Sequence, residues 1–212
     1  MSFHSGKVAS EVVAEFPGLR LLWTALDVRV KPSPRELRRR LHALSDRYAG
    51  PGVVAMRTKP IPHAYRAFFR QVGLDPDAAR IPSEEAAVRR LLHGQFRSRD
   101  TLQDALLIAL VETGVPVWAL DARVVETDSL GIRIARGGDR LGSAAAGRPL
   151  PAGPLVVADA SRVHATLFDE PADHALRSGQ ARIVLYAVAV EGVPAIHVEE
   201  ALWVAMDALE AG

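Results

Sequence analysis

Apolar positions recur along this chain with two periods, and the change between them divides it. Residues 19–30 include Leu21, Leu22, Trp23, Ala25 and Val28, an apolar run of strand length that is expected to be buried. The chain then turns helical as far as Gly114. Ser33-Pro34-Arg35-Glu36 reads as a helix start, with a capping serine, proline at the first helical position and glutamate three residues after the serine. That helix is predicted to reach about residue 48, with Leu37, Leu41 and Leu44 inward and Arg38, Arg39, Arg40 and Arg47 mostly outward. Gly50-Pro51-Gly52 ends it, and a short strand is expected at 53–56. Residues 62–72 carry Tyr65, Phe68, Phe69 and Val72 at helical spacing, followed by Gly73. Ser83 is the expected cap of a third helix, with Val88, Leu91 and Leu92 inward and Gly94 at its end. A fourth spans 100–113, with Leu102, Leu106, Ala109 and Leu110 recurring every three or four residues before Gly114.

Beyond Gly114 the apolar runs shorten, and turns rich in glycine and proline separate them. Strands are predicted at 115–120, 131–136, 155–158, 163–168 and 183–190, with a last helix over 197–209. Helices come before strands, so the pattern points to an α+β domain rather than a doubly wound sheet.

A chain of 212 residues fits one domain, residues 1–212, and its apolar half supplies a sizeable core. There is no cysteine, which excludes disulfides and thiolate metal sites and fits a reducing cytosol. No apolar run reaches membrane-span length, and residues 1–7 lack the apolar stretch of a signal peptide, so a cytoplasmic protein without a membrane partner is expected. Charge is unevenly distributed. Residues 29–99 hold 16 Lys/Arg against 6 Asp/Glu, whereas residues 100–212 hold 8 against 16, within a net charge of +1. The first half therefore suits a polyanion such as RNA, although the same arginines also suit solvated helix faces.

Generic site patterns are lacking. The seven histidines form no H-E-x-x-H or other tight ligand spacing, so no metal or other cofactor is expected. No G-x-S-x-G elbow is found. Arg136-Gly137-Gly138-Asp139 reads as a hairpin turn rather than a phosphate cradle, because no helix start follows it. Trp118 and Trp203 sit in apolar runs, where core packing is the default role.

One stretch is more specific. Arg99-Asp100-Thr101-Leu102-Gln103-Asp104 is followed, ten residues after Asp104, by Gly114-Val115-Pro116-Val117-Trp118-Ala119-Leu120-Asp121. Downstream come Gly131-Ile132-Arg133-Ile134-Ala135-Arg136-Gly137-Gly138-Asp139 and Leu155-Val156-Val157-Ala158-Asp159. In order and spacing these resemble the B3/B4 editing domain of the phenylalanyl-tRNA synthetase β subunit. There a helix carrying V-D-x-T-N precedes G-x-P-x-H-A-F-D, a G-x-I-x-V-R hairpin and an L-V-I-A-D strand. Upstream, Ala64-Tyr65-Arg66-Ala67-Phe68-Phe69, Gly73-Leu74-Asp75-Pro76 and Pro82-Ser83-Glu84-Glu85 are similar to free-standing relatives of that domain. The match covers about 62–159. It implies a layered β/β/α fold, a pocket between sheet and helices, and aminoacyl-tRNA as ligand, with hydrolysis of a wrongly attached amino acid.

The chain departs from that family at defined places. The H-A-F-D histidine is Trp118, the motif asparagine is Leu107, and the 141–150 loop has no acidic residue. His164 and Thr166 are the replacements the sequence offers, with His164 as a general base or else a core histidine. Asp104 and Asp121 either hold backbone or bind a substrate ammonium. Trp118 either packs in the core or stacks on the terminal adenosine. Arg38, Arg39, Arg66 and Arg99 are the candidate phosphate contacts. Because an aminoacyl ester is already activated, a positioned water and a few oxyanion donors suffice for its hydrolysis. The competing readings are a non-catalytic tRNA or amino-acid binding module and a small-molecule enzyme on the same fold. The sequence leaves the oligomeric state open.

Overall fold

The computed structural model describes residues 2–48, 56–143, 146–172 and 178–212. The protein is α+β. Among the described residues, in chain order, are β1 (His4–Ser5), β2 (Lys7–Val8), α1 (Ser10–Glu15), β3 (Arg20–Val30), α2 (Arg35–Arg47) and α3 (Pro60–Gln71). Then come α4 (Pro82–His93), α5 (Thr101–Thr113), β4 (Val117–Asp121), β5 (Gly131–Ile134), β6 (Arg140–Leu141) and β7 (Arg148–Pro149). The last are β8 (Leu155–Ala158), β9 (Val163–Thr166), β10 (Gly179–Ala189) and α6 (Ala195–Glu210). The short strand expected at 53–56 falls largely outside the described residues.

Two sheets form. The first has the order β1-β3-β10-β4, and the second β2-β5-β8-β9-β6-β7. The first is built on β3 and β10, which pair antiparallel from Gly179 opposite Val30 to Ala189 opposite Arg20. In β10 the residues Ile183, Val184, Leu185, Tyr186, Ala187 and Val188 are all essentially inaccessible. Successive strand residues point to opposite faces, so both faces of this strand are covered. α6 packs on β10, β3 and β4 and lies along α5, which in turn meets α2 and α4. From the second sheet, Ile132, Val157 and Ala165 join the same core as Leu21 and Val184. Leu37, Leu41, Leu44, Phe96 and Ile108 form a smaller core between α2 and α5. Each such leucine contributes roughly 1.5–3 kcal/mol by leaving water.

Two glycines fix the geometry around α5 and β5. Gly114 ends α5 in the left-handed region at φ 78° and donates its N–H to Leu110 O, which turns the chain straight into β4. Gly131 lets β2 pair with β5, since a Cβ there would lie 1.8 Å from Lys7 O.

Several expectations need correction. Ser33 does not cap α2: the helix follows Pro34 with no side-chain cap, and the Ser33 hydroxyl donates to Asp104 instead. Ser83 lies inside α4, which begins at Pro82. The buried face of α4 is Ser83, Glu84, Ala86 and Ala87, while Leu91 and Leu92 are exposed. Glu84, Val88 and Leu91 share one face at i, i+4 and i+7, but burial is confined to the first half of the helix and its last turn is exposed. β9 stops at Thr166 because the chain turns at Phe168. The N-terminal β1, β2 and α1 were not anticipated, being too short to show a period.

Candidate functional site: a cleft between α5, β4 and the turn after β9

The site begins with the start of α5. Asp100 caps the helix by accepting from the Gln103 N–H at 2.9 Å. Asp104, one turn in, is only 1% exposed. One of its oxygens accepts from the hydroxyls of Ser33 at 2.6 Å and Ser98 at 2.5 Å, and the other from the Arg99 N–H at 2.8 Å. Its hydrogen bonds therefore go to protein groups. They pin the Arg97-Ser98-Arg99 segment and the loop before α2 to the helix, which is the structural alternative of the two roles considered for it.

α5, β4 and the segment after β9 enclose a cleft of about 670 Å³. Its apolar wall is Leu102, Leu106, Leu107 and Leu110 of α5. Trp118 lies on the β4 side, stacked on Tyr186 with ring centroids 5.5 Å apart and 21° between planes. Phe168 adjoins it at 6.0 Å. Phe168 also meets Tyr65 at 5.5 Å, Phe68 at 5.8 Å and Phe69 at 5.5 Å.

Phe168 has a φ of 68°, and it is the one described non-glycine residue with positive φ. It occupies the third position of a turn closed by the Asp169 N–H donating to Thr166 O at 3.1 Å. Glycine is usual there, and a bulky side chain costs about 1 kcal/mol or more. Four aromatic neighbours hold it in place. The turn directs Asp169 and Glu170, both exposed, to the cleft. Burial pushes the Tyr186 phenol well above its usual range, and the nearby Asp169 charge adds to that.

The opposite side of the cleft is cationic, with Arg80, Arg89, Arg90, Arg97 and Arg99. Arg89 pairs with Glu85 at 3.1 Å, Arg80 lies 3.8 Å from the same carboxylate, and Arg90 donates to Ser45 O at 2.9 Å. Arg97 and Arg99 are exposed, and among the described residues their side chains form no ion pair. The cleft thus offers guanidinium groups, an aromatic floor and a carboxylate end.

No family model and no curated protein matches the chain.

Of the residues singled out in the sequence, the structure brings Asp104, Trp118 and Arg99 to this cleft and places the others elsewhere. His164 is 1% exposed and does not line the cleft. Its Nε2 lies 2.7 Å from Asp159 Oδ2. Asp159 also accepts from the N–H groups of Glu126, Ser161 and Arg162 at 2.8–2.9 Å. Burial works to raise the Asp159 pKa, but the donors from Glu126, His164 and Ser161 outweigh it and hold the carboxyl at about 2. The pair ties β9 to the loop before β5, so His164 has no route to a substrate in the cleft.

Asp121 ends β4 and accepts from the Arg123 guanidinium, 2.6 Å from its Nη2, and from the Arg123 N–H at 3.0 Å. That fork depresses its pKa. It fixes the turn after the strand. The Thr166 hydroxyl donates to the Asp169 carboxylate, so Thr166 shapes the turn and acts on the cleft through Asp169.

Arg66 is 6% exposed, with its guanidinium 2.9 Å from Glu84 and 2.8 Å from Asp77, and it has no surface to give a phosphate. Arg38 and Arg39 are exposed on α2 and do not line the cleft. Their neighbour Arg40 joins Glu112 of α5 at 2.8 Å and Asp207 of α6 at 2.9 Å, so part of the basic half is matched by the acidic half. Among the described residues no group of three or more His, Asp or Glu is arranged to hold a metal ion. No described helix is long and apolar enough to cross a membrane.

Sequence reasoning missed Phe168, Asp169, Glu170, Arg80, Arg89, Arg90 and Arg97. The available signal was Asp169-Glu170-Pro171 directly after a predicted buried strand, a usual place for functional loops.

Proposed function

We propose that this domain recognises the aminoacylated 3′ end of a tRNA, as a free-standing relative of the B3/B4 editing domain. The observation that carries the proposal is the union of cationic rim, aromatic floor and carboxylate end in one cleft. An acylated 3′ end presents three matching groups. Its phosphates suit the Arg97 and Arg99 forks. Its adenine has a face for stacking on the half-buried Phe168, whereas Trp118, 8% exposed and stacked on Tyr186, packs in the core. Its α-ammonium suits Asp169 and Glu170, which stand in for the acidic loop missing at 141–150. The volume falls within the range of roughly 300–1,000 Å³ typical of small-ligand pockets. The motif resembling the family supplies two walls of this cleft, since Asp104 lies in the first turn of α5, Gly114 ends that helix, Pro116 precedes β4 and Asp121 ends it. Two sheets with a helical layer are compatible with a β/β/α arrangement of B3/B4 type.

Hydrolysis enters the proposal in one form. The ester is reactive enough that a water held by Asp169 or Glu170 suffices. The burial of His164 outside the cleft argues against it as the base. The test is incubation with a panel of mischarged aminoacyl-tRNAs, following loss of ester. Asp169→Asn with Glu170→Gln is expected to slow that loss by about tenfold or more, on the scale of a general base. His164→Gln leaves the rate per folded molecule unchanged. Salt-dependent tRNA binding without ester loss makes the domain a binding module. The absence of both tRNA binding and ester loss overturns the proposal.

A further inference from the structure

The second sheet bears a concavity of about 480 Å³ that shares no lining residue with the cleft. Its wall includes Arg133, Arg136, Arg140 and Arg162, with Asp139 and Asp159 as its carboxylates. β6 and β9 run parallel with Leu141 opposite Val163, so Arg140 and Arg162 precede that pair side by side.

Neither carboxylate is open to Arg140. Asp139 is taken by Arg133 at 2.6 and 3.1 Å and by the Arg136 N–H at 2.7 Å. Asp159 is taken by His164 and three backbone N–H groups. The Nε of Arg140 is buried and has no hydrogen-bond partner among the described residues. A buried donor on a cation without an acceptor leaves that charge uncompensated by the protein. With Asp139 matched to Arg133, the guanidinium groups of Arg136 and Arg140 bring two positive charges to the concavity beyond that pair.

We infer that this concavity binds the phosphate group of a small phosphate monoester. Such a group is close to a dianion at neutral pH, which equals the charge of Arg136 and Arg140 together. Its oxygens match guanidinium forks. The N–H groups of Ser161 and Arg162 already serve Asp159. Side chains therefore do the binding, and the 480 Å³ concavity matches a mononucleotide in size rather than a helical RNA.

The test is titration calorimetry on the whole protein with inorganic phosphate and with AMP, each up to about 10 mM. Both are expected to bind, with AMP at least as tight. Arg140→Met is expected to weaken both by about tenfold or more. Without ligand, the same variant melts at an unchanged or higher temperature, because an uncompensated cation is gone. Arg136→Met, whose side chain is exposed, serves if Arg140→Met does not fold, and it weakens phosphate severalfold. No binding of either probe overturns the inference, as does binding unchanged in both variants. If only tRNA binding falls in Arg140→Met, the surface belongs to an RNA contact and the small-ligand site is lost. Ester loss and tRNA binding at the cleft are read separately, so failure of one site leaves the other standing.

Discussion

Arg66 and the pair Arg97 and Arg99 belong to the same basic half of the chain, yet the fold treats them in opposite ways. Arg66 is in the interior, with Glu84 and Asp77 closed around it. Arg97 and Arg99 stand at the edge of the cleft with no ion partner among the described residues. The carboxylates divide likewise. Asp104 and Asp159 are saturated by protein donors, while Asp169 and Glu170 are exposed at the cleft. Charges that have found partners within the chain hold the fold, and charges left open toward a concavity are the ones free to meet a ligand.

The largest effect expected from this contrast is on stability. Arg66→Ala leaves the buried Glu84 with only the half-exposed Arg57 at 3.5 Å and is expected to cost about 3 kcal/mol, read by urea unfolding. Arg97→Ala stays within about 0.5 kcal/mol of the parent in the same assay. Equal losses would erase the distinction. Asp104→Ala leaves two hydroxyls and the Arg99 N–H without an acceptor, and the expected loss is about 2–3 kcal/mol.

Asp159 sharpens the contrast through pH. Its folded pKa of about 2 lies below the ordinary value of 3.8. The pair with its donors therefore stabilises the fold fully above pH ~4, and that contribution drains away as pH falls from about 4 toward 2. Unfolding free energies across that window are expected to drop by about 2 kcal/mol more than in Asp159→Asn, whose baseline is already lower.

Arg97→Ala with Arg99→Ala is expected to weaken tRNA by about tenfold. The slope of log affinity against log salt should become shallower by about one for each phosphate that is no longer neutralised. Arg38→Ala with Arg39→Ala, away from the cleft, should shift affinity by less than about threefold. If the α2 pair matters more than the rim pair, the RNA path lies over α2.

Much of the fold could be read from the sequence, because long amphipathic runs declare their period. α2, α5, β3, β8 and α6 lie within a few residues of expectation. β1, β2 and β7 are two residues each, too short for any periodicity. The site was legible in part. The spacing from Asp104 through Gly114 to Trp118 did mark two cleft walls. Nothing local marked Arg66 as interior, because its partners Glu84 and Asp77 are set by how α3 meets α4. His164 looked like a candidate base because sequence cannot show that Asp159, five residues earlier, is already its partner. Phe168 was invisible for the opposite reason, since its positive φ is imposed by an aromatic cage drawn from α3 and β4.

The most direct test of the cleft uses an acceptor-stem minihelix carrying its amino acid through a stable amide, beside the same minihelix left unacylated. The acylated RNA is expected to bind about tenfold more tightly, and Asp169→Asn with Glu170→Gln is expected to remove that preference while leaving unacylated binding intact. Equal affinity for the two RNAs in the parent protein would contradict recognition of an aminoacylated end.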